Sequence, residues 1–221
     1  WVRSVVTYDY ILFDLDGTLT DSHVGVSNGI AYALNTLGVP APVGDEVRRW
    51  LGPPLSTSFR EYAGLGEQDA LEAIRLYRDY YNHTGAFENR VYEGIPELLR
   101  QLHACGKKLA VATSKVDYAA VAILKHFELE KYFSTIVGAD EYGLLRGTKS
   151  LVMAQAMQDL NIHVSASAVM VGDRHHDIHG ATEHGLDSVG VTWGYADEHE
   201  LTNAGATFLC NSVSELTALL I

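Results

Sequence analysis

The stretch Tyr10-Ile11-Leu12-Phe13-Asp14-Leu15-Asp16-Gly17-Thr18 changes character at its middle. A short aromatic and apolar run ends in two carboxylates two residues apart, and a glycine follows. A run of that length reads as a strand buried on both faces, and the glycine marks the turn that ends it. Asp-x-Asp-Gly by itself also describes a strand-end turn in which the side chains bond the backbone. In an open parallel sheet, however, the carboxyl end of a strand is where ligands bind. What surrounds the stretch decides between these readings.

Further β-branched and apolar runs occur at Leu109–Ala112, Thr135–Val137, Ala168–Val171, Ser188–Val191 and Thr207–Leu209. Helical periodicity separates them: Ile95, Leu98, Leu99 and Leu102 behind Gly94, with Pro96 in the first turn, then stripes in Val116–Phe127, Ser150–Leu160 and Val213–Leu220. Strands alternating with helices predict an α/β fold, a doubly wound, Rossmann-like parallel sheet with helices on both faces. The alternation fails between Asp21 and Asn89, where Val26, Ile30, Ala33, Leu34 and Leu37, then Leu71, Ile74, Tyr77 and Tyr81, keep helical spacing and no strand stands out. The expected organisation is therefore a core of residues 1–20 and 90–221 with a small helical insert at 21–89. Within the insert, Leu51-Gly52-Pro53-Pro54-Leu55 cannot be helical through both prolines and predicts a stiff turn.

Composition narrows the function. The chain has 221 residues, 47% hydrophobic and 20% charged, and a formal charge of −12. That excess of acid repels phosphate backbones and anionic headgroups, so neither nucleic acid nor membrane is an expected partner. Cys105 and Cys210 have no neighbouring cysteine or histidine at metal spacing, and both are expected as core filler. No apolar run reaches the length of a spanning helix, so a cytoplasmic protein, monomeric or homodimeric, is expected.

Two more predicted strands end in chemistry. Ala112-Thr113-Ser114-Lys115 brings hydroxyls and an ammonium to the sheet edge, although Thr and Ser also cap helices. Gly172-Asp173-Arg174-His175-His176-Asp177 sets two carboxylates four residues apart, on one face of a helical turn, where like charges require a cation between them or solvent around them. His175 and His176 are expected as solvated helix-start residues, Tyr77, Tyr80 and Tyr81 as core of the insert, and His23 as hinge packing.

Asp14-Leu15-Asp16-Gly17-Thr18, Thr113-Ser114, Lys149 before a helix, and Gly172–Asp177, in this order, resemble the haloacid dehalogenase superfamily and, with the insert, its phosphoglycolate phosphatase-like branch, whose members are described as phosphoglycolate phosphatases or 5'-nucleotidases. The resemblance implies a helical cap at the insert and a phosphatase working through an aspartyl-phosphate. It makes Asp14 the nucleophile and Asp16 the general acid and then base. It makes Lys149, Thr113 and backbone N–H groups of the Leu15–Gly17 turn and after Thr113 the grip on the phosphoryl group, with Ser114 contributing second-hand as a substrate-facing residue and Arg146 competing with Lys149 for the cation's place. Asp14, the backbone carbonyl of Asp16, Asp173 and Asp177 would hold Mg²⁺, an oxygen-only set that suits it better than zinc.

Gly52 and Pro53 of the cap would select the substrate, a small phosphomonoester, together with Arg48, Arg49 or Arg60. Phosphoglycolate is the first candidate, and a nucleoside 5'-monophosphate is the alternative. A dehalogenase would lack Asp16. A sugar phosphomutase would carry a cap histidine where Val26 stands. A non-catalytic phosphate-binding module would not need every catalytic position filled.

Overall fold

The computed structural model describes residues 7–51, 53, 55–141 and 144–221. Tyr10–Phe13 (β1) forms the expected strand, with Ile11, Leu12 and Phe13 entirely buried, as a strand covered on both faces must be. Thr20–Asp21 (β2) leads into the helices His23–Thr36 (α1), Leu55–Glu61 (α2) and Glu67–His83 (α3), and Arg90–Val91 (β3) leads out. Then follow Ile95–Ala104 (α4), Lys108–Val116 (β4), Asp117–His126 (α5), Thr135–Ala139 (β5), Lys149–Asp159 (α6), Ala168–Gly172 (β6), His175–Glu183 (α7), Asp187–Val191 (β7), Glu200–Asn203 (α8), Phe208–Cys210 (β8) and Val213–Leu220 (α9).

Six strands form one parallel sheet in the order β5-β4-β1-β6-β7-β8. β1 is central because its apolar run can be buried on every side. The chain steps from β1 to β4 and β5 in one direction, then returns to β6, β7 and β8 in the other. Right-handed crossovers therefore put α4 and α5 on one face and α6 and α7 on the opposite face. The core on the second face packs Leu12, Ala110 and Met170 against Val152, Met153, Ala156 and Ala181. Burying such large side chains contributes about 1.5–3 kcal/mol apiece. On the first face, Phe13 meets Phe133 edge to face at 6.4 Å. The strand order reverses at β1, and β1 pairs β6 with Phe13 level with Val171. The register sets the ends of the two strands side by side, so Asp14 and Asp173 start from neighbouring chain ends.

By density of contacts the chain divides into two units, Trp1–Leu19 with Val91–Ile221, and Thr20–Arg90. The second unit is helical, with two-residue strands at its ends that sequence periodicity was too short to reveal. Inside it, α1 lies close against α3 because Gly29 leaves room for the ring of Tyr77, where a Cβ would stand 2.9 Å away. Tyr77 and Tyr81 are buried and stacked at 5.3 Å, as expected of core, whereas Tyr80 is half-buried, stacks on Tyr32 and donates to Glu88. Pro53 lies in a bend, and Gly52 lies outside the described residues. His23 is exposed at the start of α1. Cys105 is exposed, against its expected place in the core, because it follows the last turn of α4; Cys210 is buried. No helix among the described residues is long and apolar enough to cross a membrane.

Candidate active site

The first unit gathers Asp14, Asp173 and Asp177 into one buried group whose ligand oxygens lie within 4.8 Å of one another. Asp14 leaves β1 with its N–H on the carbonyl of Val171, which ties it to β6. Asp173 follows β6 directly. Its Oδ1 accepts from Thr18 Oγ1 at 3.3 Å and its Oδ2 from the N–H of Tyr195 at 2.7 Å. Asp177, in the first turn of α7, accepts the N–H of Arg174 at 3.1 Å, so one carboxylate both caps its helix and faces the site.

Glycine makes this packing possible. A Cβ at Gly172 would stand 2.2 Å from Asp177 Cγ, and one at Gly194 would stand 2.4 Å from Asp173 Cβ. Gly17 has φ +81° and would set a Cβ 2.2 Å from Asp173 Oδ2, so both its conformation and its space exclude a side chain.

Lys149 enters from the first residue of α6, where Thr148 caps the helix through the N–H of Leu151 at 3.3 Å. Its Nζ lies 2.7 Å from Asp14 Oδ1 and 2.9 Å from Asp177 Oδ1, and donates to the carbonyl of Ala112 at 3.1 Å. Burial alone would lower the ammonium's pKa, but the charges of Asp14 and Asp177 outweigh it and the pKa is raised. Arg146, the other cation considered, instead donates to the carbonyl of Gly138 and pairs with Asp117.

Burial pushes the Asp14 carboxyl up to about 6, with Lys149 opposing and Asp177 and Asp16 adding to the rise. Asp173 is raised well above the usual carboxylate range, first by burial and then by the charges of Asp14 and Asp177. The cluster is thus short of positive charge. Asp14, Asp173 and Asp177 share one buried ammonium, that of Lys149, so a divalent cation would be welcome among them. Mg²⁺ is a hard cation that takes carboxylate and carbonyl oxygens, and these three carboxylates offer such atoms within 4.8 Å of one another. The hard, all-oxygen donor set fits that ion.

Asp16 stands apart from the three. Its Oδ2 pairs with Lys115 Nζ at 3.1 Å, and its Oδ1 is buried without a hydrogen bond. Thr113 is buried near the end of β4 and caps no helix, since the strand runs on to Val116; its Oγ1 accepts the N–H of Lys115 at 3.2 Å, leaving the hydroxyl proton to give. Ser114 is exposed, and Leu15 and Gly17 are buried within the turn after Asp14. His175 and His176 are half-buried rather than solvated. His175 Nδ1 lies 2.6 Å from Glu200 Oε1, and burial followed by the charge of His175 lowers His176 to about 4. Tyr195, Gly194 and Lys115 went unassigned in the sequence: Lys115 was visible at the strand end, while Gly194 and Tyr195 act through a missing Cβ and a backbone N–H, which side-chain chemistry does not flag.

Residues 11–191 match the family described as haloacid dehalogenase-like hydrolase. Tyrosine-protein kinase PtkA of Mycobacterium tuberculosis is 43% identical over 92% of this chain and 69% of its own length. A 5'-nucleotidase of Pseudomonas aeruginosa is 36% identical over 98% of this chain and 97% of its own. The crystal structure of a predicted phosphatase from Clostridium acetobutylicum superposes with a TM-score of 0.91 at 46% identity, covering 96% of this chain and 97% of that one. On this match and the parallel sheet beneath it, the chain belongs to the haloacid dehalogenase-like hydrolase family, as an enzyme of its phosphatase kind.

Proposed function

We propose that this enzyme is a Mg²⁺-dependent phosphomonoesterase that works through a phosphorylated Asp14. The observation that carries the reading is Asp14 itself: a buried carboxylate beside Asp173 and Asp177, with Lys149 Nζ 2.7 Å away. Asp14, Asp173, Asp177 and the backbone carbonyl of Asp16 would hold Mg²⁺, which when bound supplies the positive charge that lets an anionic phosphate approach an anionic nucleophile. An Asp14 oxygen attacks phosphorus, and the ester P–O bond breaks with its electron pair going to the leaving oxygen. Asp16 gives that oxygen a proton. Asp16 then takes a proton from water as the water oxygen attacks phosphorus, the P–O bond to Asp14 breaks with its electron pair returning to the carboxylate, and inorganic phosphate leaves. Lys149, the Thr113 hydroxyl and the N–H groups of the Leu15–Gly17 turn and after Thr113 stabilise the phosphoryl oxygens, and Ser114 faces the substrate.

The unit Thr20–Arg90, inserted between β1 and α4, serves as the cap in this reading, with Gly52 and Pro53 among its selecting residues. Phosphoglycolate is the first substrate candidate from the motif resemblance. A nucleoside 5'-monophosphate is the second reading, favoured by the whole-length match to a 5'-nucleotidase.

Initial rates on phosphoglycolate, nucleoside monophosphates, hexose phosphates and a phosphotyrosine peptide, each with Mg²⁺ and with EDTA, test the proposal. ATP with a tyrosine peptide as acceptor completes the panel. Metal-dependent phosphate release that Asp14→Asn abolishes is expected. Preference for one ester by about a hundredfold, ~2.7 kcal/mol of transition-state discrimination, names the substrate class. Equal release by Asp14→Asn, or transfer from ATP to the peptide without hydrolysis, would overturn the reading.

A further inference from the structure

We propose that Lys115 is the positioning residue for Asp16, holding one carboxylate oxygen so that the other is presented for proton transfer. The inference rests on the reading above, in which Asp16 is the acid and base. Asp16 makes an isolated backbone bridge past the end of β1, and that bridge does not by itself fix its side chain. The ammonium of Lys115 takes Oδ2 at 3.1 Å, and the lysine side chain is only 9% exposed. Oδ1 is buried and accepts no hydrogen bond. The carboxylate is therefore anchored at one oxygen and uncommitted at the other, the arrangement a proton carrier needs.

Three features place the lysine. The β4–β5 register shifts between Ala112 and Val116, and such bulges re-aim side chains. Gly138 of β5 comes so close that a Cβ there would stand 2.3 Å from the Lys115 carbonyl and 2.7 Å from the N–H nitrogen of Asp117. Asp117 in turn accepts the N–H of Gly138 at 2.6 Å and pairs with Arg146, which donates to the carbonyl of Gly138 at 2.9 Å. Asp16 thus lies just past β1 and Lys115 in the neighbouring β4, and a bulge propped from β5 aims the lysine at the carboxylate.

The test compares leaving groups. An alkoxide needs a proton to depart, whereas p-nitrophenolate departs without one. Lys115→Met should lower kcat/KM for an alkyl phosphate with an uncharged alkyl group about 30-fold or more, and for p-nitrophenyl phosphate less than about threefold, since kcat/KM reports the first step and only the alkoxide needs the acid there. Lys115→Arg, which keeps the cation, should recover the alkyl ester to within about threefold. Equal losses on both esters, or no rescue by arginine, would show a merely structural lysine and overturn the proposal. A crystal structure of Lys115→Met gives a readout free of turnover: the Asp16 carboxylate should move by more than about 1 Å while Asp14 and Asp173 stay. If wild type hydrolyses neither ester, the phosphatase reading fails, and that structure still decides whether Lys115 holds Asp16; an unmoved Asp16 overturns the proposal.

Discussion

Replacing the proposed nucleophile, Asp14→Asn, should abolish turnover and, in the metal-free protein, make the fold more resistant to urea as the pH rises. The Asp14 carboxyl ordinarily titrates at 3.8 and is pushed to about 6 by burial. Between these values the native protein binds a proton that the unfolded chain has released. Stability from this group is therefore full below about 3.8 and lost as the pH rises through about 6. A shift of that size, at 1.36 kcal/mol per unit, amounts to ~3 kcal/mol. Asparagine has no such proton to lose, so the stability of the variant minus that of wild type should grow by ~3 kcal/mol from about pH 4 to about pH 7.5. Relief of Asp173, raised in part by Asp14, adds in the same direction. Taking the difference between two pH values cancels any packing change that asparagine introduces. With a urea slope of about 2–3 kcal/mol per molar, the midpoints should separate by about 1 M across this window, in EDTA throughout. A flat difference, or one that shrinks as the pH rises, would refute the argument that burial of this charge strains the site.

Mg²⁺ at about a hundred times its dissociation constant should stabilise wild type by about 2.7 kcal/mol in thermal unfolding, and Asp173→Asn should abolish that gain. Gly172→Ala should cost about 1–3 kcal/mol by calorimetry and remove most activity, because the new methyl overlaps Asp177. Lys149→Met should destabilise by about 3–5 kcal/mol in urea, since it leaves Asp14 and Asp177 facing each other without their shared cation.

Much of the core was legible because each strand is short, apolar and bounded. Tyr10–Phe13 and the helix Val213–Leu220 stand where periodicity put them, and β4 starts one residue earlier than expected and runs on to Val116. Thr113 could be read as a cap because a hydroxyl before a helix looks the same whether the strand stops or continues; only pairing with β5 shows that it continues. Asp14, Thr113, Lys149, Asp173 and Asp177 were legible as strand-end or helix-start chemistry, and the first unit brings the three aspartates and Lys149 together, with Lys149 donating to the carbonyl of Ala112 next to Thr113. The role of Tyr195 was not, since a backbone N–H leaves no trace in side-chain identity. Nor was the pairing of Lys115 with Asp16, because a bulge has no composition of its own. Cys105 went astray for a simpler reason: an apolar side chain just past a helix end can face solvent at little cost.

The level pairing of Phe13 with Val171 also bears on how the molecule comes to exist. The central strand is made early and its partners β4 and β6 roughly 100 and 160 residues later, so the ribosome releases an oily segment long before anything can cover it. Such non-local parallel pairings fold slowly and leave sticky intermediates. The carboxylate pocket is a late product of that process, assembled only once β6 slots in beside β1, and a chain stalled before residue 168 would carry Asp14 on an unpaired, aggregation-prone edge.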